Sequence, residues 1–377
     1  MKTNTRKRRL WWRTMALASM LWLGLTAEVS PVPFRTEKGG SQTVSHCTSA
    51  YVFDRPGLAF HDRDAAHLNQ LNFSFALIKD GKASGDHWLN IDAYKGFIQK
   101  HPHIQPVVSV GGWGADGFSQ AVSNAENRAV LVKSILDLTV EHGFLGVDID
   151  WEYPGSSAAG IASSEDDREN FTLLMQELRD GLDALTAEDG KPRLLACALG
   201  ASPALIKDID CEAIGRIADQ INLMTYDIQT PWITSHHTAL YSSEGYPHSA
   251  DHAVRLFAEA GIPKNKMMVG AAFYGRVFTL KEETSAPLFQ PSATDGYASR
   301  NYTKLQSTLA NAQLFFDDNA KAPYAVEGTT FISYEDPVSI RHKGAYITQN
   351  GLMGMMCWEY GGDASGELLR AMYESMN

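Results

Sequence analysis

Eight short apolar segments recur along this chain, and their spacing constrains its fold more than any other feature of the sequence. Amphipathic stretches typical of helices separate most of them, for example at 127–141 and 166–185. Alternation of buried strands with helices indicates a parallel sheet, and eight such units predict an α/β fold, a closed (β/α)8 TIM barrel. The predicted strands are 45–53, 70–77, 105–111, 146–152, 194–199, 220–226, 267–273 and 351–358.

The helical period disappears between the seventh and eighth predicted strands. Residues 277–332 are rich in Tyr, Phe, Asn, Asp, Gly and Thr, which is typical of a small α+β insertion rather than of a linker. A chain of 377 residues is long enough for one barrel with such an insertion. We therefore predict a barrel domain made of 28–276 and 333–377 that carries an insertion domain at 277–332.

Residues 1–27 differ from the rest of the chain. They hold six basic and no acidic residues, and an apolar stretch from Met15 to Leu25 that ends at Thr26 and Ala27. A basic start, a short apolar segment and a small final residue predict a secretory signal peptide. An uncleaved anchor is the alternative, because the cleavage site is not sharp. We expect a secreted protein that has no membrane association after cleavage.

The charge balance argues against nucleic acid as a partner. Six of the 33 lysines and arginines lie in the predicted signal peptide, which leaves 27 basic residues against 44 acidic ones. Contacts to phosphate groups need a basic surface, and this chain is acidic instead. We expect a monomer whose partner is a neutral substrate.

Cysteine and histidine positions predict no metal site. The cysteines match no metal-ligand spacing, and the adjacent His236 and His237 lack carboxylate partners at a metal-binding spacing. Cys197 and Cys357 lie inside apolar runs of the predicted strands, where a cysteine is more often a small buried side chain than half of a disulfide. We predict no metal and no cofactor, and the sequence leaves open any disulfide pairing among Cys47, Cys197, Cys211 and Cys357.

Three carboxyl residues stand two apart at the end of the fourth predicted strand, namely Asp148, Asp150 and Glu152. A strand sends every second side chain to the same face, so these three are expected to point together, while Trp151 points into the core on the other face. Three ionised carboxylates at this spacing repel, so at least one should hold a proton near neutral pH. This pattern favours a general acid. A calcium site or a polar strand end is the alternative.

Several predicted strands carry short motifs at or near their ends. The most specific is the run Gly-Val-Asp-Ile-Asp-Trp-Glu-Tyr-Pro at 146–154. The others, in order, are Ser-Val-Gly-Gly-Trp at 109–113, Met-Thr-Tyr-Asp at 224–227 followed by Trp232, Phe-Tyr-Gly-Arg at 273–276, and Trp358. Together these motifs resemble those of glycoside hydrolase family 18, the chitinases and their relatives, and the resemblance extends from about residue 45 to the C-terminus.

The resemblance implies a retaining hydrolysis in which no protein carboxylate attacks the sugar. The oxygen of the substrate's own 2-acetamido group is the nucleophile, and an oxazolinium ion is the intermediate. Glu152 would be the general acid and then the general base, while Asp150 would accept a hydrogen bond from the acetamido N–H. Asp148, held by Ser109, would tune Asp150, and Tyr226 would orient the acetamido oxygen.

Further positions match the substrate cleft of the family. Trp358 matches the platform beneath the reacting sugar, and Gly111 and Gly112 are expected to support the site. Most other aromatic residues are expected to pack in the core. The remaining substrate contacts that the resemblance implies are Met224, Asp227, Trp113, Tyr153, Trp232, Tyr51, Phe75 and Arg276.

Three functions remain open at this point. The first is a secreted chitinase, endo- or exo-acting, that cuts β-1,4-linked N-acetylglucosamine polymers and oligosaccharides. The second applies the same chemistry to the N-acetylglucosaminides of peptidoglycan or of N-glycans. The third is a non-catalytic chitin-binding lectin, against which the intact Glu152, Asp150 and Tyr226 argue. In the first two, the insertion would form a wall of a sugar-binding groove.

Overall fold

A computed structural model of the protein describes residues 45–243 and 246–377. The predicted signal peptide at 1–27 lies outside the described residues, as do residues 28–44 of the predicted barrel domain. Within the two described ranges, no helix has both the length and the apolar character that crossing a bilayer requires.

Strands and helices alternate along the described chain. The strands are β1 (Cys47–Phe53), β2 (Gln70–Lys79), β3 (Lys82–Ser84), β4 (Gln105–Gly111), β5 (Gly146–Asp150), β6 (Leu194–Gly200), β7 (Gln220–Met224), β8 (Met267–Ala272), β9 (Tyr274–Thr279), β10 (Ala298–Asn301), β11 (Gln313–Asp317), β12 (Ala322–Glu327), β13 (Thr330–Ser333) and β14 (Gly354–Trp358). The α-helices are α1 (Ile91–Lys100), α2 (Phe118–Ala121), α3 (Ala125–His142), α4 (Asp167–Asp189), α5 (Pro203–Ile206), α6 (Cys211–Ile217), α7 (Ala250–Glu259), α8 (Tyr302–Leu309), α9 (Pro337–Asn350) and α10 (Glu367–Met376).

Eight parallel strands of the described chain close into a barrel. Around the barrel they follow the order β1, β2, β4, β5, β6, β7, β8 and β14, and β1 pairs with both β2 and β14. The short β3 pairs antiparallel with β2 and lies outside this ring. The closed sheet, with helices between its strands, confirms the predicted (β/α)8 TIM barrel.

Two strands end earlier than their apolar patterns indicate. The strand predicted at 146–152 ends at Asp150, and the one predicted at 220–226 ends at Met224. At the first of these ends the Asp150 carbonyl accepts a hydrogen bond of 2.8 Å from the N–H of Gly112, the residue that follows β4. Residues 151–152 and 225–226 therefore lie in the loops that follow the strands.

The two faces of the barrel strands have different surroundings. Outward side chains such as Val147 and Ile149 are buried in the main apolar core, which the helices cover. Inward side chains include buried polar groups that bond one another: Gln220 Nε2 donates to Asn222 Oδ1 over 2.8 Å. A polar interior supplies hydrogen-bond partners to charged groups placed above it, which buried charges require.

The insertion lies between the seventh and eighth barrel strands, as predicted. Among the described residues it forms a five-stranded antiparallel sheet in the order β10, β9, β13, β12, β11, with α8 between β10 and β11. Its first strand, β9, begins at Tyr274, directly after β8 ends at Ala272. The insertion sheet therefore begins three residues earlier than its composition indicates and includes Arg276.

The cysteines all lie in the described part of the chain, where they are buried and free. Cys197 and Cys357 lie in β6 and β14 with no exposed surface. Burial raises the pKa of the Cys47 thiol to about 12, so this side chain is a neutral apolar group at any ordinary pH.

Candidate active site

A cleft of about 1260 Å³ opens at the C-terminal ends of the barrel strands. Its walls come from the loops after the strands and from the first strand of the insertion. In a (β/α)8 barrel this end is the one that carries chemistry, because side chains from several strands converge there. We call it the active-site cleft. The predicted residues that line it are Tyr51, Phe75, Gly111, Gly112, Trp113, Asp150, Glu152, Tyr153, Met224, Tyr226, Asp227, Arg276 and Trp358.

The turn after β4 needs glycine at two successive positions. Gly111 and Gly112 have φ angles of 116° and 94°, which only glycine adopts without strain. A Cβ on Gly111 would lie 2.2 Å from the Asp150 carbonyl oxygen, and a Cβ on Gly112 would lie 2.5 Å from the Phe75 ring. The two glycines let the backbone pass directly over the end of β5 and under an aromatic wall of the cleft.

Asp148 lies beneath the cleft floor with its carboxylate fully bonded. Tyr51 Oη donates to its Oδ2 over 2.9 Å, and the Ser109 hydroxyl donates to the same oxygen. Asn222 Nδ2 donates to the other oxygen, Oδ1, over 3.1 Å. Burial raises the pKa of Asp148 to about 6, although the bonds from Ser109, Tyr51 and Asn222 act in the opposite direction.

Asp150 follows two residues later on the same face and is almost completely buried. Its pKa is raised well above the usual range, first by burial and then by the negative charges of Glu152 and Asp148. Its Oδ1 atom is buried and has no hydrogen-bond partner among the described residues. An unpaired buried carboxylate oxygen is costly, and nothing in the described chain satisfies this acceptor on a residue that lines the cleft.

Glu152 is the third carboxyl residue and lines the cleft from the loop after β5. Burial raises its pKa to about 7; the Tyr153 hydroxyl lowers this pKa, and the charge of Asp227 raises it. A carboxyl group with a pKa near neutrality is protonated in part of the molecules and ionised in the others. It can therefore both give and take a proton at pH 7.

Tyr226 stands in the loop after β7 and lines the same cleft. Gly270 on β8 makes room for it, because a Cβ there would lie 2.8 Å from the Tyr226 ring. Its hydroxyl lies 4.0 Å from the Met356 sulfur. Burial raises its pKa well above the usual range, and the charges of Asp150 and Glu152 raise it further, so the hydroxyl keeps its proton and can donate a hydrogen bond.

Asp227 connects the barrel to the insertion. Its carboxylate accepts hydrogen bonds from Arg276 Nε and Nη2 over 2.6 and 2.5 Å, and from Tyr274 Oη over 2.8 Å. Burial would raise the pKa of Asp227, but His237 and Arg276 outweigh it and hold this pKa well below its usual range. Asp227 is therefore a fixed negative charge beside Glu152.

Two pairs of aromatic side chains line the cleft. Trp358, the last residue of β14, stacks on Phe75 with ring centroids 5.6 Å apart and planes 19° apart. Trp113 is 64% exposed and meets the Tyr153 ring edge-on at 6.3 Å. Flat apolar faces beside polar groups suit sugar rings, whose C–H faces are apolar and whose edges carry hydroxyl groups.

Trp232 lies apart from the other predicted contacts. It is 60% exposed and does not line the active-site cleft. Its carbonyl accepts a hydrogen bond of 2.8 Å from the Ser292 N–H of the insertion. The two predicted residues that lie beneath the floor are Asp148 and Ser109, which support the site without lining the cleft.

Several residues of the site are not among those predicted from the sequence. Asn222 bonds both Asp148 and Tyr51, over 3.1 and 2.9 Å. Its signal was present in the sequence, since Asn222 stands two residues before Met224 and therefore on the same inward face. Phe53, Tyr274 and Tyr297 also line the cleft, and only the folded chain brings them there.

The described residues contain no group of three or more His, Cys, Asp or Glu side chains arranged to hold a metal ion. Some of the predicted site residues bond one another directly: Tyr51 and Ser109 donate to Asp148, and Arg276 donates to Asp227.

Residues 43–363 match the family model of glycosyl hydrolases family 18. The chain belongs to this family. One end of its barrel carries the three carboxyl residues, the double glycine and Trp358. This is the end at which barrel enzymes carry their chemistry.

Two curated relatives of this family 18 protein are chitin-cleaving enzymes by name. It is 34% identical over 322 residues to Chitinase A1 of Niallia circulans, covering 77% of this chain and 46% of that one. It is also 34% identical over 276 residues to Chitotriosidase-1 of Mus musculus, covering 69% of this chain and 58% of that one. The chain thus spans about half the length of these relatives.

A solved structure resembles the family 18 protein over nearly the whole described chain. It is described as a glycoside hydrolase family 18 N-acetylglucosaminidase from Paenibacillus barengoltzii, with 36% identity and a TM-score of 0.84. The match covers 88% of this chain and 100% of that one.

Proposed function

We propose that this family 18 protein hydrolyses β-1,4-linked N-acetylglucosamine chains with retention, using the substrate's acetamido group as nucleophile. The observation that carries the proposal is the buried, unpaired Oδ1 of Asp150 next to Glu152, whose pKa is raised to about 7. An acetamido N–H would satisfy that oxygen. A glucose polymer has no such N–H and no internal nucleophile.

In the first step, protonated Glu152 gives its proton to the glycosidic oxygen. The bond between this oxygen and C1 breaks, and the acetamido carbonyl oxygen forms a bond to C1 from the opposite side. A neighbouring group held in this position can supply roughly 7–11 kcal/mol of the barrier. The products are an oxazolinium ion and a sugar chain with a new hydroxyl end.

Asp150 assists this step through its position. Its unpaired oxygen would accept the acetamido N–H and stabilise the positive charge that develops on the ring nitrogen. Asp148, Asp150 and Glu152 affect one another's protonation, so the three carboxyl groups titrate as a coupled group. Tyr226 would donate a hydrogen bond from its hydroxyl to the acetamido oxygen and hold that oxygen toward C1.

In the second step, ionised Glu152 takes a proton from a water molecule. The water oxygen bonds to C1, the oxazolinium ring opens, and the acetamido group returns to its original form. Two displacements at C1 give overall retention. Trp358 would carry the reacting sugar on its exposed face, since it lines the cleft and its other neighbours are aromatic rings.

A second candidate uses the same chemistry but removes single sugars from a chain end. The structural neighbour described as an N-acetylglucosaminidase favours it, because the match covers the whole of that chain. The exposed Trp113, a further aromatic face in the lining of the cleft, favours a longer groove and internal cutting. We also propose secretion, which rests on the basic and apolar composition of residues 1–27.

The test is hydrolysis of fluorogenic chitobioside and chitotrioside by the purified protein. We expect the wild type to release the fluorophore and Glu152→Gln to be at least about a hundredfold slower, since a positioned general acid contributes about 10²–10⁴ in rate. The matched control is Glu126→Gln, an exposed residue of α3 that should keep wild-type activity.

Two outcomes would contradict the proposal. A wild type that binds chitin oligomers but cleaves none would indicate a lectin. A Glu152→Gln variant as active as the control would remove Glu152 from its proposed role. The products of chitohexaose cleavage then separate the two modes of cutting, because exo action releases one size of product from the start.

A further inference from the structure

A second cavity, of about 690 Å³, adjoins the active-site cleft. The two share the side chains of Phe53, Tyr274, Ser299 and Trp358, so a chain lying on Trp358 can enter both. We call this cavity the basic annex and define it by its charged lining residues, Arg55, Arg300, Lys304 and Glu359.

The single carboxylate of the annex is already occupied. Arg55 Nη1 donates to Glu359 Oε1 over 2.7 Å, and the Gly361 N–H donates to Oε2 over 3.0 Å. Gly361 also leaves space for the arginine, since a Cβ there would lie 2.6 Å from Arg55 Nη2. This pair is built into the wall and leaves no free negative charge in the annex.

The other two cations have no counterion. Neither Arg300 nor Lys304 has a carboxylate within 4.0 Å among the described residues. Arg300 Nη1 makes one long contact, 3.4 Å, to the Thr308 hydroxyl. Three cations against one anion make this cavity positive on a chain whose net charge is −11. Such a local field attracts anions into a concave site.

The position of the annex defines which part of a glycan would reach it. The annex includes Trp358 but neither Glu152 nor Trp113, which line only the active-site cleft. In the proposed function the reacting sugar lies on Trp358 and the leaving group lies beyond Glu152. Sugars on the non-reducing side of the reacting one would therefore extend into the annex.

We propose that the basic annex binds an anionic substituent, a carboxylate or a sulfate, on the N-acetylated sugars that precede the reacting one. This inference rests on the proposed function and narrows its substrate class to acidic N-acetylglucosamine glycans. Chains in which a carboxylate-bearing amino sugar alternates with N-acetylglucosamine, as in peptidoglycan, belong to this class. Arg300 and Lys304 would be the residues that determine the preference.

The experiment compares kcat/KM for neutral chitotetraose with kcat/KM for two tetramers of equal length. One carries a C6 carboxylate and the other a 6-O-sulfate, each on the non-reducing terminal sugar. We expect the wild type to favour at least one anionic tetramer about three- to tenfold at low ionic strength, and to lose this preference at high salt, because exposed charges are screened. Comparison of the carboxylated with the sulfated tetramer shows which anion is preferred.

The double variant Arg300→Ala/Lys304→Ala should bring the anionic-to-neutral ratio to about one. The matched control is Lys281→Ala, an exposed lysine of the insertion that lines neither cavity and should keep the wild-type ratio. Thermal unfolding of each variant checks that all are folded. Since the readout is a ratio on one enzyme preparation, a general loss of activity does not imitate the expected result.

The failures of the two proposals are distinguishable. A wild-type ratio of one, or a ratio that the double variant leaves unchanged, overturns the annex while cleavage of neutral chitotetraose still supports the proposed function. Cleavage of an anionic tetramer without cleavage of the neutral one supports the annex and overturns chitin as the substrate.

Discussion

Asn222 links the barrel interior to the carboxyl groups of the site. Its Nδ2 donates to Asp148 Oδ1 over 3.1 Å and to Tyr51 Oη over 2.9 Å. Hydrogen bonds of this kind favour the ionised form of Asp148 and oppose the effect of burial on its pKa. In the proposed mechanism Asn222 is a positioning residue that acts through Asp148.

Replacing Asn222 with leucine should change the pH dependence of the reaction. The loss of a donor to the charged form raises the pKa of Asp148 above about 6. On acidification, Asp148 of the variant would become protonated at a higher pH than in the wild type. The acidic limb of the pH profile of kcat/KM would therefore shift to higher pH. A hydrogen bond to a charged group is worth about 1.5–3 kcal/mol, which predicts a fall of about tenfold or more in kcat/KM.

Gln70→Leu is the control for this variant. Gln70 is also a buried polar residue of the barrel, but its amide donates to Asn72 and not to Asp148. It should leave the pH profile in place. An acidic limb that shifts equally in both variants would mean that the shift reports general damage to the barrel.

At the scale of elements, the turn after β4 holds the site together. The Gly112 N–H donates to the Asp150 carbonyl over 2.8 Å, so the ends of β4 and β5 are fixed to each other. The same turn lies against Phe75, which stacks on Trp358. One turn therefore sets the height of the carboxyl groups relative to the aromatic platform.

Gly112→Ala should damage activity as well as stability. The added Cβ would lie 2.5 Å from the Phe75 ring, in a backbone conformation that disfavours alanine. Overpacking of this kind costs about 1–3 kcal/mol in the free energy of unfolding. We expect kcat/KM to fall at least about tenfold as well, because a small displacement of oriented groups has a large effect on rate.

Gly143→Ala offers a matched comparison for the element-scale prediction. Gly143 ends α3 with a φ angle of 73°, and a Cβ there would meet nothing within 4 Å. It should cost about 1–2 kcal/mol in urea unfolding and leave kcat/KM unchanged. Equal losses of activity in both variants would show that stability alone limits the reaction.

At the scale of the whole molecule, a buried ion pair ties the insertion to the barrel. Lys343 of α9 and Glu335, which follows β13, are buried and in contact. Lys343 Nζ also donates to Thr238 Oγ1 over 2.6 Å and to the Gly270 carbonyl over 3.3 Å. Because a buried charge needs its partner, this cluster keeps β8, the loop after β7 and the end of the insertion together.

The buried carboxyl groups should also set how stability depends on pH. Folding raises the pKa of Asp148 to about 6 and that of Glu152 to about 7. The folded protein then binds more protons than the unfolded chain, so these groups lower the free energy of unfolding as pH rises from about 4 to about 7. Their stabilising contribution is complete below this window and lost above it.

Glu152→Gln removes one of these groups and should therefore be more stable than the wild type above pH 7. We expect a gain of roughly 1–3 kcal/mol in urea unfolding at pH 8, which disappears toward pH 4. Glu126→Gln, on the exposed face of α3, should show no such pH-dependent difference. A gain of equal size at both pH values would contradict the assignment of the effect to ionisation.

Local patterns in the sequence were enough to predict the barrel and the core of the candidate site. A strand places alternate residues on one face, so the carboxyl residues of β5 were expected together, and Asp148 and Asp150 do lie on its inner face. The apolar runs also placed β1, β4 and β8 to within two residues at either end. These features depend on neighbours a few residues apart, which is the distance over which sequence periodicity carries information.

Closure of the barrel decided the rest. Asn222 bonds Asp148 across 74 positions of sequence, Arg276 bonds Asp227 from the insertion, and Trp232 does not line the cleft. The basic annex exists only because the end of β14 and the insertion meet beside Trp358. Such contacts join side chains that no local period relates, so the sequence alone determined the strands and their inward carboxyl groups, and tertiary packing determined which distant residues surround them.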